Sequence, residues 1–128
     1  MSKKDRILIA ERNPHIRGYL TRELSAAGYD ALPVKTLAEL HHWVVSNEPM
    51  DLLVLDPNLP EDGLTHNLDT LLAQIRMIPV ILHCLPDDCP IHLLQRDRSI
   101  LIEKTGTSVP ALKAGIQSLL SVGRGLLT

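Results

Sequence analysis

The sequence is poor in aromatic residues, with two tyrosines, one tryptophan and no phenylalanine among 128 residues. Proteins that bind single-stranded nucleic acids stack the bases on aromatic rings, so we do not expect that class of function. The core must come from aliphatic side chains, and 45% of the residues are hydrophobic. A chain of this size and composition predicts one domain with a continuous core, spanning residues 1–128.

The sequence also lacks a charge excess and a long apolar run. Thirteen basic and 15 acidic residues leave a formal charge of −2, too small to attract nucleic acid or an anionic membrane. No apolar stretch approaches the roughly 20 residues that span a bilayer, and the charged residues 3–5 argue against a signal peptide. We therefore expect a cytoplasmic protein with neither nucleic acid nor membrane as its partner.

Cysteine is nearly absent, since the chain has only Cys84 and Cys89. Two cysteines are too few for a disulfide framework, and a reducing compartment keeps them as thiols. The nearby His83 and His92 do not complete the paired spacing of a zinc site. We expect neither a disulfide nor a zinc site here.

Apolar runs and helical patterns alternate five times along the chain. The predicted strands are residues 7–10, 30–34, 52–55, 79–84 and 99–103. The predicted helices begin after Asn13, after Thr36, near Leu68, near Ile91 and after Thr107. This alternation predicts an α/β fold with a five-stranded parallel sheet and five helices. Residues 122–128 are either a frayed helix end or the start of a linker.

Charged side chains stand where three of the predicted strands end. Glu11 and Arg12 follow the first strand, Asp56 follows the third, and Lys104 follows the fifth. In open parallel sheets, ligands bind in the crevice outside the carboxyl ends of the strands. The sequence therefore predicts a functional site built from these four residues.

The order and spacing of these segments resemble the receiver domain of two-component response regulators over essentially the whole chain. Residues 7–14 resemble the first strand and acidic turn of that family, residues 56–63 resemble its phosphoacceptor strand and loop, and Lys104 matches its lysine. The resemblance implies a doubly wound, flavodoxin-like (CheY-like) domain with strand order 2-1-3-4-5.

The resemblance also implies roles for individual residues. Asp56 would receive a phosphoryl group from a histidine kinase, and Cys84 takes the place of the family's Thr or Ser. Leu101 takes the place of the aromatic residue that moves when the domain switches. Partners, either a histidine kinase or a downstream effector, would bind the face made by the fourth helix, the fifth strand and the last helix.

The departure at Arg12 bears on the metal that the family uses. Its Mg²⁺ ligands come from two adjacent acidic residues, the phosphoacceptor and a backbone carbonyl two positions later. The corresponding positions here are Glu11 and Arg12, Asp56, and Asn58. A guanidinium has no acceptor and cannot ligate Mg²⁺. An inward-pointing Arg12 would instead fork onto Asp56 and take the place of the cation.

Two functions remain open at this point. In the first, the chain is an atypical stand-alone receiver without a cofactor, impaired in Mg²⁺-dependent phosphorylation, that acts through protein contacts. In the second, Asp56 is a working phosphoacceptor, Mg²⁺ is bound by Glu11, Asp56 and the Asn58 carbonyl, and the only enzymatic activity is autocatalytic phosphoryl transfer onto Asp56. Homodimerisation through the last helix and the fifth strand is a further hypothesis.

Overall fold

A computed structural model of the chain describes residues 3–61 and 67–125, with side chains described as far as residue 121. The strands are β1 (Arg6–Ala10), β2 (Asp30–Val34), β3 (Leu52–Leu55), β4 (Val80–Cys84) and β5 (Ser99–Glu103). The α-helices are α1 (Pro14–Ala26), α2 (Leu37–Val45), α3 (Leu68–Ala73) and α4 (Ser108–Gly125). Two short 3-10 segments, Pro86–Asp88 and Ile91–Leu94, lie between β4 and β5.

The five strands form one parallel sheet in the order β2-β1-β3-β4-β5. The predicted strands and their order are thereby confirmed. The predicted number of five helices is wrong, because the described residues contain four α-helices. In place of the predicted helix near Ile91 the chain forms the 3-10 segment Ile91–Leu94, which ends at Gln95, where ψ is 64° and departs from the helical range.

Successive strand residues face opposite sides of the sheet and feed two separate cores. Leu8, Leu53 and Leu82 belong to the core beneath α2 and α3. Ile7, Leu52 and Ile81 belong to the core beneath α1 and α4. Because both faces are covered, the carboxyl-end edge stays open for a site.

Local sequence signals account for the starts of the helices. Asn13 caps α1 with its side-chain oxygen, which accepts the N–H groups of His15 and Ile16, and Pro14 follows at the first helical position. Thr36 caps α2 through the N–H of Glu39. The Asn13 cap fixes the position of the β1–α1 turn, which carries part of the site.

Helix α4 lies close to the sheet at Gly115, which is buried. A Cβ atom at this position would lie 2.9 Å from Ile100 Cδ1 and 3.1 Å from Ile102 Cδ1. The glycine therefore permits the short approach of α4 to β5. The helix continues to Gly125, so part of the suggested linker at 122–128 is helical, and residues 126–128 lie outside the described residues.

The sheet ends at β2 on one side and at β5 on the other. Pro33 lies within β2, in register with Ile9 of β1. Proline has no N–H for a strand ladder and is confined largely to edge strands. Its presence agrees with the position of β2 at the edge.

Candidate functional site

The ends of β1 and β3 bring two carboxylates to one place. Ala10 is in register with Leu55, and the N–H of Asp56 donates to the Ala10 carbonyl at 2.8 Å. Glu11 and Asp56, which follow these strands, are each only 2% exposed. Two buried carboxylates need cations or hydrogen-bond donors to offset their loss of hydration.

Both oxygens of the Asp56 carboxylate have donors. Oδ1 accepts the N–H of Asn58 at 3.0 Å, and Oδ2 accepts the N–H of Arg12 at 3.3 Å. Oδ2 also lies 3.4 Å from Arg12 Nε and 3.6 Å from Lys104 Nζ. The carboxylate is thus held by two backbone amides and two side-chain cations.

Arg12 reaches Asp56 through Nε and stays 46% exposed. This is a one-nitrogen contact and not the bidentate fork that we expected from the sequence. The backbone explains the difference, because the Arg12 N–H already occupies part of the space around Oδ2. The guanidinium is still within ion-pair distance of the carboxylate.

Glu11 is held from two directions. Its Oε1 lies 2.8 Å from Lys104 Nζ, and its Oε2 accepts the N–H of Asn13 at 2.9 Å. Burial raises the pKa of the Glu11 carboxyl, and the nearby Asp56 adds to the rise, whereas the bonds to Lys104 and Asn13 oppose it. Lys104 is therefore the cation shared by the two carboxylates.

The position of Lys104 is set by β4. Its N–H donates to the carbonyl of Cys84 at 2.8 Å, which continues the β4–β5 pairing by one residue. Its side chain is 13% exposed and points to both carboxylates. The structure thus brings Glu11, Arg12, Asp56 and Lys104 together, as the strand ends suggested.

The other predicted site residues have different surroundings. Leu101 lies in β5, paired with Leu82, and is 37% exposed, whereas Asn58 contributes its N–H to Asp56.

Cys84 is buried and forms a disulfide with Cys89, so our expectation of two free thiols is wrong. The 3-10 turn at Pro86–Asp88 folds the chain back and places the two Cα atoms 5.9 Å apart. Residues 62 and 63, which end the predicted phosphoacceptor loop, lie outside the described residues.

Two residues near the cluster were missed by the sequence reasoning. Arg17 donates from Nη1 to the Glu11 carbonyl at 2.7 Å and so fastens the β1–α1 turn to the first turn of α1. His83 is 2% exposed, with its Nε2 2.9 Å from Ser108 Oγ. The position of Arg17 in the first turn of α1 was a usable signal. The predicted strand 79–84 indicated that His83 is buried, but nothing in the sequence indicated its contact with Ser108.

The cluster does not suit Mg²⁺, which prefers six oxygen ligands in near-octahedral geometry. Two of its side chains are carboxylates and two are cations, so their formal charges cancel. Both carboxylates already contact Lys104, and Arg12 can offer no lone pair. Within residues 3–61 and 67–125, no three side chains of His, Cys, Asp or Glu form a group that could hold a metal ion.

Among the described helices, none is long and apolar enough to cross a membrane.

No family model matches the chain. The chain is 36% identical over 81 residues to the transcriptional regulatory protein VxrB of Vibrio cholerae. That match covers 62% of this chain but only 31% of VxrB, so the chain spans about a third of that relative.

Solved structures with the same fold are also known. A response regulator receiver protein from Sinorhizobium medicae superposes with a TM-score of 0.75 at 18% identity, covering 93% of this chain and 96% of that one. The receiver domain of TorR, a response regulator of the TMAO respiratory system, gives a TM-score of 0.73 at 23% identity, covering 91% and 96%. The chain therefore has the CheY-like fold of these receiver domains.

Proposed function

We propose that this chain is a receiver-type response regulator of two-component signalling that acts as a protein-interaction module and does not depend on Mg²⁺-assisted phosphorylation. The observation that carries the proposal is the Arg12 guanidinium on Asp56, next to Lys104. The receiver fold and the partial similarity to VxrB support the signalling class.

The electrostatics of the cluster support a site that does not recruit a divalent cation. Arg12 and Lys104 already contribute two positive charges, the same number as one Mg²⁺. A metal ion would have to displace at least one of them and would meet repulsion from the other. Asp56 therefore keeps a fixed environment, and the state of the domain is set by its protein contacts.

The alternative is a conventional receiver in which Asp56 is phosphorylated by a histidine kinase. The burial of Asp56 and Glu11 beside Lys104 favours this reading, because an acidic pair and a lysine are the residues that the family resemblance assigns to phosphotransfer. The exposure of Arg12 also favours the conventional receiver, since a side chain that is 46% exposed can move away from Asp56. The two functions are separated by what Mg²⁺ does to the wild-type protein.

The test is a titration of the protein with Mg²⁺, alone and with beryllofluoride, followed by amide NMR. In the wild type we expect almost no shift at Glu11, Asp56 and Lys104. Arg12→Asp supplies a carboxylate in place of the guanidinium, and we expect it to gain large, saturable shifts at those residues. Arg22→Asp makes the same charge change on the exposed side of α1 and should behave as the wild type does.

Saturable shifts in the wild-type protein, or ready labelling by acetyl phosphate, would contradict the proposal and favour the conventional receiver. If neither Arg12→Asp nor the wild type binds Mg²⁺, the lack of Mg²⁺ binding is due to the loops that follow Asp56 and Lys104 and not to Arg12.

We further propose that partners bind the face made by the 3-10 segments, β5 and α4. In this region of the chain Leu85, Ile91 and Leu101 are 47%, 71% and 37% exposed. A single exposed leucine is normal on a protein surface, but three exposed apolar side chains near one sheet edge are typical of a protein-binding surface. Because Leu101 has no ring, an inward and outward aromatic switch cannot be the signalling device here.

A further inference from the structure

The two cysteines of the chain form a pair at the end of β4. Cys84 is the last residue of the strand and is buried, whereas Cys89 follows the 3-10 turn and is half-buried. Their sulfurs are bonded, and their Cα atoms are 5.9 Å apart, within the range of native disulfides. The chain has no other cysteine, so the two thiols have no competing partner within one molecule.

The turn between them is also held by contacts other than the covalent bond. The Leu85 carbonyl accepts the N–H of Asp88 at 2.9 Å, and Pro86 begins the turn with a fixed φ. Pro90 follows directly after Cys89 and restricts that residue to extended backbone. A turn held in this way keeps both thiols close in the reduced protein, which favours ring closure.

The disulfide lies next to both functional regions of the molecule. The Cys84 carbonyl accepts the N–H of Lys104, whose side chain holds Glu11 and Asp56. The exposed Leu85 lies between the two cysteines, and the exposed Ile91 follows Cys89 by two residues. A covalent link between residues 84 and 89 therefore constrains the backbone between the charged cluster and an apolar surface.

We propose that Cys84 and Cys89 are a reversible thiol–disulfide site, which small-molecule disulfides oxidise and dithiols reduce, and which sets the path of residues 85–91. Cys89 is the more accessible thiol and reacts first. Its thiolate attacks one sulfur of the small disulfide, forms a mixed disulfide and releases one thiolate. The Cys84 thiolate then attacks the Cys89 sulfur and releases the second. The protein loses two protons and two electrons, and the small disulfide is reduced to two thiols.

The first experiment equilibrates the full chain in buffers of oxidised and reduced glutathione and counts the free thiols by alkylation and mass spectrometry. We expect two alkylated cysteines under reducing conditions and none under oxidising conditions, with the chain monomeric on non-reducing gels and without bound glutathione. Two alkylatable thiols across the whole series, or oxidation that stops at glutathione adducts, would overturn the proposal.

The second experiment compares the amide NMR spectra of the oxidised and reduced chain. We expect differences at residues 84–91 and at Lys104, with the rest of the sheet unchanged. Spectra that differ only at the two cysteines would overturn the conformational part of the proposal.

Two serine variants act as matched controls. Cys84→Ser should form a glutathione adduct at Cys89, because the resolving thiol is missing, whereas Cys89→Ser leaves the buried Cys84 and should react slowly. The redox response should persist in Arg12→Asp, because it does not use the Asp56 cluster. The proposal can therefore fail or hold independently of the proposed function.

Discussion

At the scale of single residues, His83 illustrates how burial decides the state of a side chain. Ser108 Oγ donates to the Thr105 carbonyl at 3.0 Å and so accepts from His83 Nε2. Among the described residues, no partner contacts His83 Nδ1. Burial lowers the pKa of His83 from 6.5 to about 4, with a smaller contribution from the positive charge of Lys104. The folded protein therefore holds His83 as the neutral imidazole.

This lowered pKa predicts that the fold loses stability in mild acid. Between pH 6.5 and about 4, His83 is protonated in the unfolded chain but remains neutral in the folded chain. Because the unfolded state binds more protons there, the free energy of unfolding rises with pH across that window. We expect His83 to contribute a loss of about 3 kcal/mol in the free energy of unfolding from the top to the bottom of the window. Urea denaturation at several pH values measures it.

His83→Gln should remove that contribution, although it also costs some stability at neutral pH. His15→Gln changes an exposed histidine and should leave the pH dependence as in the wild type. Equal pH slopes for the wild type and His83→Gln would contradict the assignment.

The residues at strand ends could be predicted from the sequence, because a charged residue after an apolar run lies at the carboxyl edge of the sheet wherever the strand pairs. Glu11, Asp56 and Lys104 follow this rule. The cysteine pair could not be predicted in the same way. It depends on a 3-10 turn, whose direction is decided by Pro86 and by bonds that form only when the turn closes.

At the scale of secondary-structure elements, the contact between α4 and the sheet predicts an unusual response to alanine. Alanine normally favours a helix over glycine by roughly 1 kcal/mol. At Gly115 the added Cβ would press on the side chains of Ile100 and Ile102. Overpacking of this kind costs about 1 to 3 kcal/mol, so we expect Gly115→Ala to lower the free energy of unfolding.

Gly18→Ala is the matched control for this prediction. Gly18 lies in α1, and the nearest atom to its added Cβ is Arg22 Nη1 at 3.7 Å, an ordinary contact. We expect this variant to gain about 0.5 to 1 kcal/mol. Stabilisation of similar size in both variants, measured by urea denaturation, would show that α4 does not need a glycine at the sheet.

The end of α3 depends on a single side chain from the segment before β5. The Arg96 guanidinium donates to the carbonyls of Leu72, Ile75 and Ile78 at 3.0, 2.6 and 2.8 Å. The carbonyls of Leu72 and Ile75 also accept the backbone N–H groups of Ile75 and Ile78, so Arg96 adds a second kind of donor to the turns that follow α3. Burial lowers the pKa of Arg96, so the carbonyls must offset its lost hydration.

We expect Arg96→Gln to lower the free energy of unfolding by about 2 to 3 kcal/mol, because it removes three hydrogen bonds made by a charged, partly buried donor. Arg98→Gln removes a bond to only the Met77 carbonyl and should change stability by less than about 0.5 kcal/mol. Thermal and urea denaturation of both variants provide the comparison, and a smaller loss for Arg96→Gln than for Arg98→Gln would contradict it.

The elements themselves were largely predictable, since five apolar runs and the caps at Asn13 and Thr36 mark them clearly. The missing fifth helix was the exception. The apolar residues near Ile91 suggested helical spacing, but the stretch 91–98 before β5 is short, and only the 3-10 segment Ile91–Leu94 forms there.

At the scale of the whole molecule, the two edges of the sheet, β2 and β5, differ in the side chains and backbone groups that a second copy could contact. The exposed Leu101 lies on the edge strand β5 and faces the side of the sheet opposite α4. If homodimers form through this region, sedimentation velocity at rising concentration will show an increasing sedimentation coefficient. Leu101→Lys should suppress the increase, whereas Val45→Lys, at an exposed site on α2, should not. A coefficient independent of concentration in the wild type would exclude this dimer.

The proline in β2 limits how far such self-association could extend. A β-strand from a second copy can add to the β5 edge, but the β2 edge lacks a donor at Pro33 and resists the same addition. Growth into a fibre needs two receptive edges on every subunit. If β5 is the one receptive edge, strand addition there would join two copies and leave no second edge for further growth.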